Sequence, residues 1–175
     1  MNRLMKRFVN LTPAAIDLIV YDFDGVMTDN RVLTLQDGTE AVFVNRADGL
    51  AINMIKEMGI SQIILSTEEN AVVEARARKI GIPAIHRVGD KLEALHAYCT
   101  EQQIDLKKVL YVGNDVNDLQ AMKSVGLSIA PADAHPAVKR IANIVLKSTG
   151  GSGVIRELTD LILLSKKEIN NVGYL

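Results

Sequence analysis

Short apolar runs that stop abruptly at polar clusters recur along the chain, and between them apolar residues repeat at helical spacing. The first run leads from Ile16 to Tyr21 and breaks at Asp22-Phe23-Asp24-Gly25, inside the stretch IDLIVYDFDGVMTD. Such a run reads as a buried strand of a parallel sheet that delivers polar groups at its carboxyl end. Gln62 to Leu65, Ala84 to His86, Val109 to Val112, Leu127 to Ala130 and Ile144 to Leu146 repeat the pattern. Helices are predicted between them. Leu50, Ile52, Met54, Ile55 and Met58 form one apolar face that opens at Asp48-Gly49 and closes at Gly59, where a left-handed cap is wanted. Further helices are predicted over 71–80, from Lys91 through Leu92, Leu95 and Tyr98, over 119–125, from the Pro131 turn to about Ala142, and through Val154, Ile155, Leu158, Leu161 and Leu163. Strand and helix alternating throughout predict an α/β fold, a doubly wound Rossmann-like parallel sheet with helices on both faces.

One segment departs from the alternation. Val32 to Leu35 and Ala41 to Val44 flank Gln36-Asp37-Gly38-Thr39, the signal of a β-hairpin, inserted over about 30–45 beside the acidic strand end. Met1 to Ala15 reads as a frayed entry ending near Pro13. No repeat or low-complexity linker interrupts the chain, so 1–175 reads as one domain.

Composition narrows the classes. The chain has 175 residues, 48% of them apolar, enough for one buried core. Twenty Lys and Arg against 21 Asp and Glu, spread along the chain, provide no basic field for nucleic acid or an anionic membrane. The apolar runs are too short to span a bilayer, and a cytoplasmic protein is expected. Cys99 is the single cysteine and reads as a small half-buried thiol. His86, His96 and His135 lie apart, without the spacing of a zinc site.

Candidate chemistry collects at the strand ends, where open α/β sheets bind their ligands. Asp22 and Asp24, two apart on an extended segment, can face one pocket while Phe23 and Val26 turn into the core. Ser66-Thr67-Glu68-Glu69-Asn70 ends the second core strand ahead of a helix, an arrangement that suits an anion site or simple helix capping by Ser66 or Thr67. Lys91 stands in the first turn of its helix, where a cation opposes the dipole, which hints at another role. Gly113-Asn114-Asp115-Val116-Asn117-Asp118 ends another strand, and capping accounts for only one or two of its four polar residues.

In this order, a DxDGV strand end, a following Ser, a helix-borne Lys and an acidic loop resemble the haloacid dehalogenase superfamily of phosphohydrolases over nearly the whole chain. The resemblance implies Asp22 as nucleophile, Asp24 as acid and base, Ser66 and Lys91 as phosphoryl-binding groups, and Mg²⁺ held by Asp22, Asp24 and Asn114 or Asp115, with Asp118 in support. Many family members carry an aspartate at the place of Asn114. The hairpin, Arg46-Ala47-Asp48-Gly49 and the late GGSGVIREL stretch with Arg156 are similar to the capless branch that holds 3-deoxy-D-manno-octulosonate 8-phosphate and nonulosonate 9-phosphate phosphatases. That likeness implies no cap domain, a homotetramer whose hairpins shade neighbouring crevices, and a phosphorylated sugar acid as substrate. It also implies that Thr67, Glu68, Asp48, Asn117 and Arg156 contact the substrate. Gly150 to Gly153 is either a lid element or a plain flexible turn. A related domain fused to acylneuraminate cytidylyltransferases leaves a silent assembly module as the alternative.

Overall fold

The computed structural model describes residues 11–172, with side chains through Lys166. Its core is a six-stranded sheet in the order β5-β4-β1-β6-β7-β8, parallel throughout. The strands are β1 (Leu18–Tyr21), β4 (Ser61–Leu65), β5 (Ala84–Ile85), β6 (Val109–Val112), β7 (Leu127–Ala130) and β8 (Ile144–Val145). Helices α1 (Arg46–Glu57), α2 (Val72–Ile80) and α6 (Val154–Val172) cover one face, whereas α3 (Lys91–Glu101), α4 (Leu119–Ser124) and α5 (Pro136–Ile141) cover the other. Both faces of the sheet are therefore dry, which is why its strands read as unbroken apolar runs.

Alternation along β1 divides the core. Ile19 and Tyr21 pack with Ile52, Ile55, Val73 and Leu158, while Leu18 and Val20 pack with Leu95, Met122 and Val138. Ile52 and Ile55 have no exposure, and truncating either to Ala leaves a cavity costing about 2–5 kcal/mol.

Local signals place the element ends. Helix α1 starts two residues earlier than the sequence suggests, because Asn45 Oδ1 accepts from Ala47 N at 2.8 Å. Asp90 caps α3 through Leu92 N and Glu93 N. The hairpin is shorter than expected, with β2 (Leu33–Thr34) paired to β3 (Glu40–Ala41) and a single further bridge from Thr28 to Val44. Met1 to Asn10 of the expected frayed entry lie outside the described residues. The rest of that entry is packed, since Leu11 is buried and its carbonyl accepts from Ser165 Oγ on α6 at 3.0 Å.

Candidate active site

From β1 the chain builds outward to β4 and β5, then returns to β6, so the order reverses between β1 and β6. Crevices at such switch points bind ligands. Asp22 leaves β1 here, its amide still donating to Val112 O of β6 at 2.9 Å. Its Oδ1 accepts from Phe23 N and Lys91 Nζ, both at 2.7 Å. Phe23 and Val26 turn into the core as the period predicts. Asp24 stays partly open, and its Oδ1 accepts from Thr28 Oγ1 at 3.1 Å. Thr28 in turn accepts from the amides of Gly25 and Asn30, each at 3.2 Å, which fixes the whole acidic turn.

Lys91 is buried, not solvated. Its Nζ lies 2.7 Å from Asp118 Oδ1 as well as from Asp22, so a cation in an unfavourable first turn is explained by two carboxylates waiting for it. Burial alone would depress the ammonium, yet Asp22 and Asp118 raise it above its ordinary value. Two carboxylates against one ammonium would leave one negative charge in excess if both were ionised. Burial first, and then Asp118, push Asp22 up to about 8, against the opposing pull of Lys91. Asp24 is raised chiefly by burial, which favours a carboxyl able to give a proton.

Asp22, Asp24, Ser66, Thr67, Asn114, Asp115 and Asn117 line one cavity of about 170 Å³, and Asn30 and Val116, which no sequence motif signals, complete its lining. A second cavity of about 330 Å³ shares Asp24 and Asn30 and runs under the hairpin between Glu40 and Glu68. Ser66 and Thr67 do not cap α2. That work falls to Asn70, whose Oδ1 accepts from Val72 N at 3.0 Å, and Ser66 Oγ accepts from Glu68 N at 3.1 Å within the loop. Glu68 Oε1 accepts from Asn70 N at 2.7 Å, and Asn70 Nδ2 donates to Glu40 Oε2 at 3.0 Å.

A model of haloacid dehalogenase-like hydrolases matches residues 78–158. The 3-deoxy-D-manno-octulosonate 8-phosphate phosphatase of Yersinia pestis is 36% identical over 157 residues, 89% of this chain and 84% of that one. This chain belongs to the haloacid dehalogenase superfamily. Its architecture is that of the capless phosphatase branch: the corresponding phosphatase of Moraxella catarrhalis, solved with magnesium, phosphate and a KDO molecule, superposes with a TM-score of 0.88. The two are 28% identical, and the match covers 95% of each chain. N-acylneuraminate cytidylyltransferase A of Danio rerio is 30% identical over 158 residues, 89% of this chain but 37% of that protein.

Mg²⁺ is the cofactor of haloacid dehalogenase phosphatases. Among the described residues no three acidic, His or Cys side chains gather as a metal site. The pocket nonetheless fits the ion. Asn114 Oδ1 is buried without a hydrogen-bond partner, and an orphaned oxygen lining one cavity with the carboxyl groups of Asp22 and Asp24 suits a hard cation. Asp115 Oδ1 is instead engaged with Val116 N at 2.7 Å, capping the short turn Val116–Asp118. Asp22, the Asp24 backbone carbonyl and Asn114 are thus the set that would hold Mg²⁺. Asp118 braces the loop, its Oδ2 accepting from the amides of Asn114 at 2.8 Å and Asp115 at 3.2 Å. His135 N also holds Asn114 O at 2.8 Å.

Two expected substrate contacts fall elsewhere. Neither Asp48 nor Arg156 lines either cavity. Asp48 is buried, and its Oδ1 accepts from Arg156 N at 3.0 Å, so its carboxylate serves the amino end of α6. The Arg156 side chain turns outward to Asp160. The late glycines are not a free turn either. Gly151 N donates to Val26 O at 3.1 Å, and a Cβ on Gly150 would overlap Gly25 O, so this turn backs the catalytic loop of its own chain. Thr28 and Tyr111 were missed in the sequence, where each reads as an ordinary strand or loop residue.

Proposed function

We propose that this chain is a Mg²⁺-dependent phosphatase of a phosphorylated sugar acid, working through an aspartyl phosphate on Asp22. The observation that carries the reading is the buried Asp22–Lys91–Asp118 cluster, whose Asp22 lines one cavity with Asp24 and Ser66. A phosphate monoester brings negative charge to a carboxylate nucleophile, and Lys91 offsets that repulsion. When bound, Mg²⁺ supplies the remaining neutralisation of the phosphoryl oxygens. Lys91 and the Phe23 amide hold one oxygen of Asp22 and leave the other to attack phosphorus. As the bond to the leaving oxygen breaks, Asp24 gives that oxygen its proton. Asp24 then takes a proton from water, which attacks the aspartyl phosphate and releases orthophosphate and free Asp22. Ser66, Thr67 and Asn117 orient the phosphoryl group.

The 330 Å³ cavity beneath the hairpin receives the sugar. Its Glu68 accepts hydroxyl or amide N–H groups, and the acylamino N–H that sialic-type nine-carbon acids carry and the eight-carbon acid lacks favours a nonulosonate 9-phosphate over 3-deoxy-D-manno-octulosonate 8-phosphate. The relatives named for the eight-carbon acid keep that substrate as the competitor. Val32, Leu33, Leu35 and Phe43 stand exposed on the hairpin, Phe43 by 73%, and support a homotetramer in which neighbours cover them.

Phosphate release from both acids and from a generic phosphate ester, with Mg²⁺ and with chelator, tests the proposal. Mg²⁺-dependent release from a sugar-acid phosphate is expected, and none from any ester refutes it. A second reading, a silent assembly module, draws on the amide at Asn114 and on the match to one part of a cytidylyltransferase. Tetramers without turnover would favour it.

A further inference from the structure

Two tyrosines stand in neighbouring strands, Tyr21 on β1 and Tyr111 on β6, both without exposure and on opposite faces of the sheet. A phenol hydroxyl buried so deeply needs a partner. Tyr21 donates to Gln62 Oε1 at 2.9 Å, and Gln62 Nε2 donates on to Ile52 O at 3.0 Å, a tie between the sheet and α1. Tyr111 donates to Asp118 Oδ1 at 2.9 Å. That oxygen is the one that also holds Lys91.

Asp118 has no exposure. An ionised carboxylate offers about four acceptor sites, and Lys91, Tyr111 and the amides of Asn114 and Asp115 fill them. Lys91 carries three N–H donors. One goes to Asp118 and one to Asp22 at the same 2.7 Å, and of these three residues only Asp22 lines the cavity. The ammonium is therefore contested by two carboxylates at equal distance. A hydroxyl donating to Asp118 Oδ1 draws charge from that oxygen and occupies one of its lone pairs, which weakens its hold on Lys91.

We infer that Tyr111 is a positioning residue, acting through Asp118 to keep Lys91 shared with Asp22. The inference rests on reading this cavity as a phosphoryl-transfer site. In Tyr111→Phe the shape is kept and the donor lost, so Asp118 draws the ammonium toward itself. Tyr21→Phe removes a hydroxyl of equal burial from the other face and serves as the control for stability alone.

Three readouts decide it. The first is the side-chain ¹⁵Nζ resonance of Lys91 in metal-free protein, assigned with Lys91→Met. The second is the affinity for orthovanadate with Mg²⁺, and the third is kcat and KM. Tyr111→Phe is expected to move the resonance, weaken orthovanadate and lower kcat about tenfold with KM changed less than about threefold. Tyr21→Phe is expected to lower the melting temperature without moving any of the three. An unmoved Lys91 resonance and an unchanged kcat in Tyr111→Phe overturn the inference, as do equal losses of kcat in both variants. Should Tyr111→Phe not fold, 3-fluorotyrosine at position 111, a stronger donor, is expected to move the resonance the opposite way, and an unmoved signal overturns it. If the wild-type protein hydrolyses no ester, the proposed function fails, while the resonance still decides the role of Tyr111.

Discussion

Gly25 sits against Asn114 so closely that a Cβ on Gly25 would overlap the Asn114 amide. The backbone of Gly25 is also left-handed, with φ of 78°, so a side chain there is strained whatever the space. The turn that follows Asp22 and the loop that holds Asn114 are thus packed against each other at the ends of β1 and β6. Gly25→Ala is expected to destabilise the fold by about 1–3 kcal/mol, from backbone strain and displacement of Asn114. Its Mg²⁺ requirement should rise as well. Thermal melts with and without Mg²⁺ check both, and a variant with wild-type melting and metal response would contradict the contact.

Asn114→Asp places a further carboxyl group beside a buried cluster that already sets two carboxyl groups against one ammonium. Metal-free protein should melt lower than wild type, because the new carboxylate is buried without a partner. With Mg²⁺ the order should reverse, an anionic oxygen binding the ion more tightly than an amide. Calorimetric Mg²⁺ titration of both proteins reads this directly. Equal affinities would move the ligand role to Asp115.

Asp22→Asn is expected to abolish turnover while the fold persists, since the nucleophile is lost at nearly constant volume. Lys91→Met should abolish turnover too, but at a structural cost of about 3–5 kcal/mol, because two buried carboxylates are left facing each other. Circular dichroism melts of the metal-free variants separate the two cases. More than a tenth of wild-type activity in Asp22→Asn, a barrier change below about 1.4 kcal/mol, would sink the aspartyl-phosphate mechanism.

Phe43→Asp puts a charge on the exposed hairpin face and is expected to dissociate the tetramer and lower activity. Native mass spectrometry at several protein concentrations checks the assembly. A stable, fully active wild-type monomer would end the tetramer proposal.

Glu68→Ala is expected to narrow the preference for a nonulosonate 9-phosphate without abolishing hydrolysis of a generic ester. One Glu68 oxygen is already spent on Asn70 N, so part of the loss would come from a loosened loop. Comparing kcat/KM for both acids on both proteins separates these effects. An unchanged ratio, or a wild-type protein favouring the eight-carbon acid, would remove Glu68 from specificity.

The sequence by itself determined the sheet and its acidic edge. Unbroken apolar runs ending in Asp22 and Asn114, and helical periods between them, are local patterns that burial on both faces imposes on each segment. Their order along the chain was enough to place Asp22, Asp24, Ser66 and Asn114 at one end of one sheet. Only the tertiary structure decided which polar groups meet. Lys91 looked misplaced in its helix until Asp118, 27 residues on, came within 2.7 Å of it. Asp48 and Arg156 belonged to the expected site by motif, yet Asp48 accepts from the Arg156 backbone amide and the Arg156 side chain turns to Asp160. Tyr111 was one more apolar position in a strand until the turn after β6 brought Asp118 beneath its hydroxyl. Periodicity records which side of an element faces the core, whereas a hydrogen bond between distant segments depends on how the crossovers set them side by side, and no local pattern carries that.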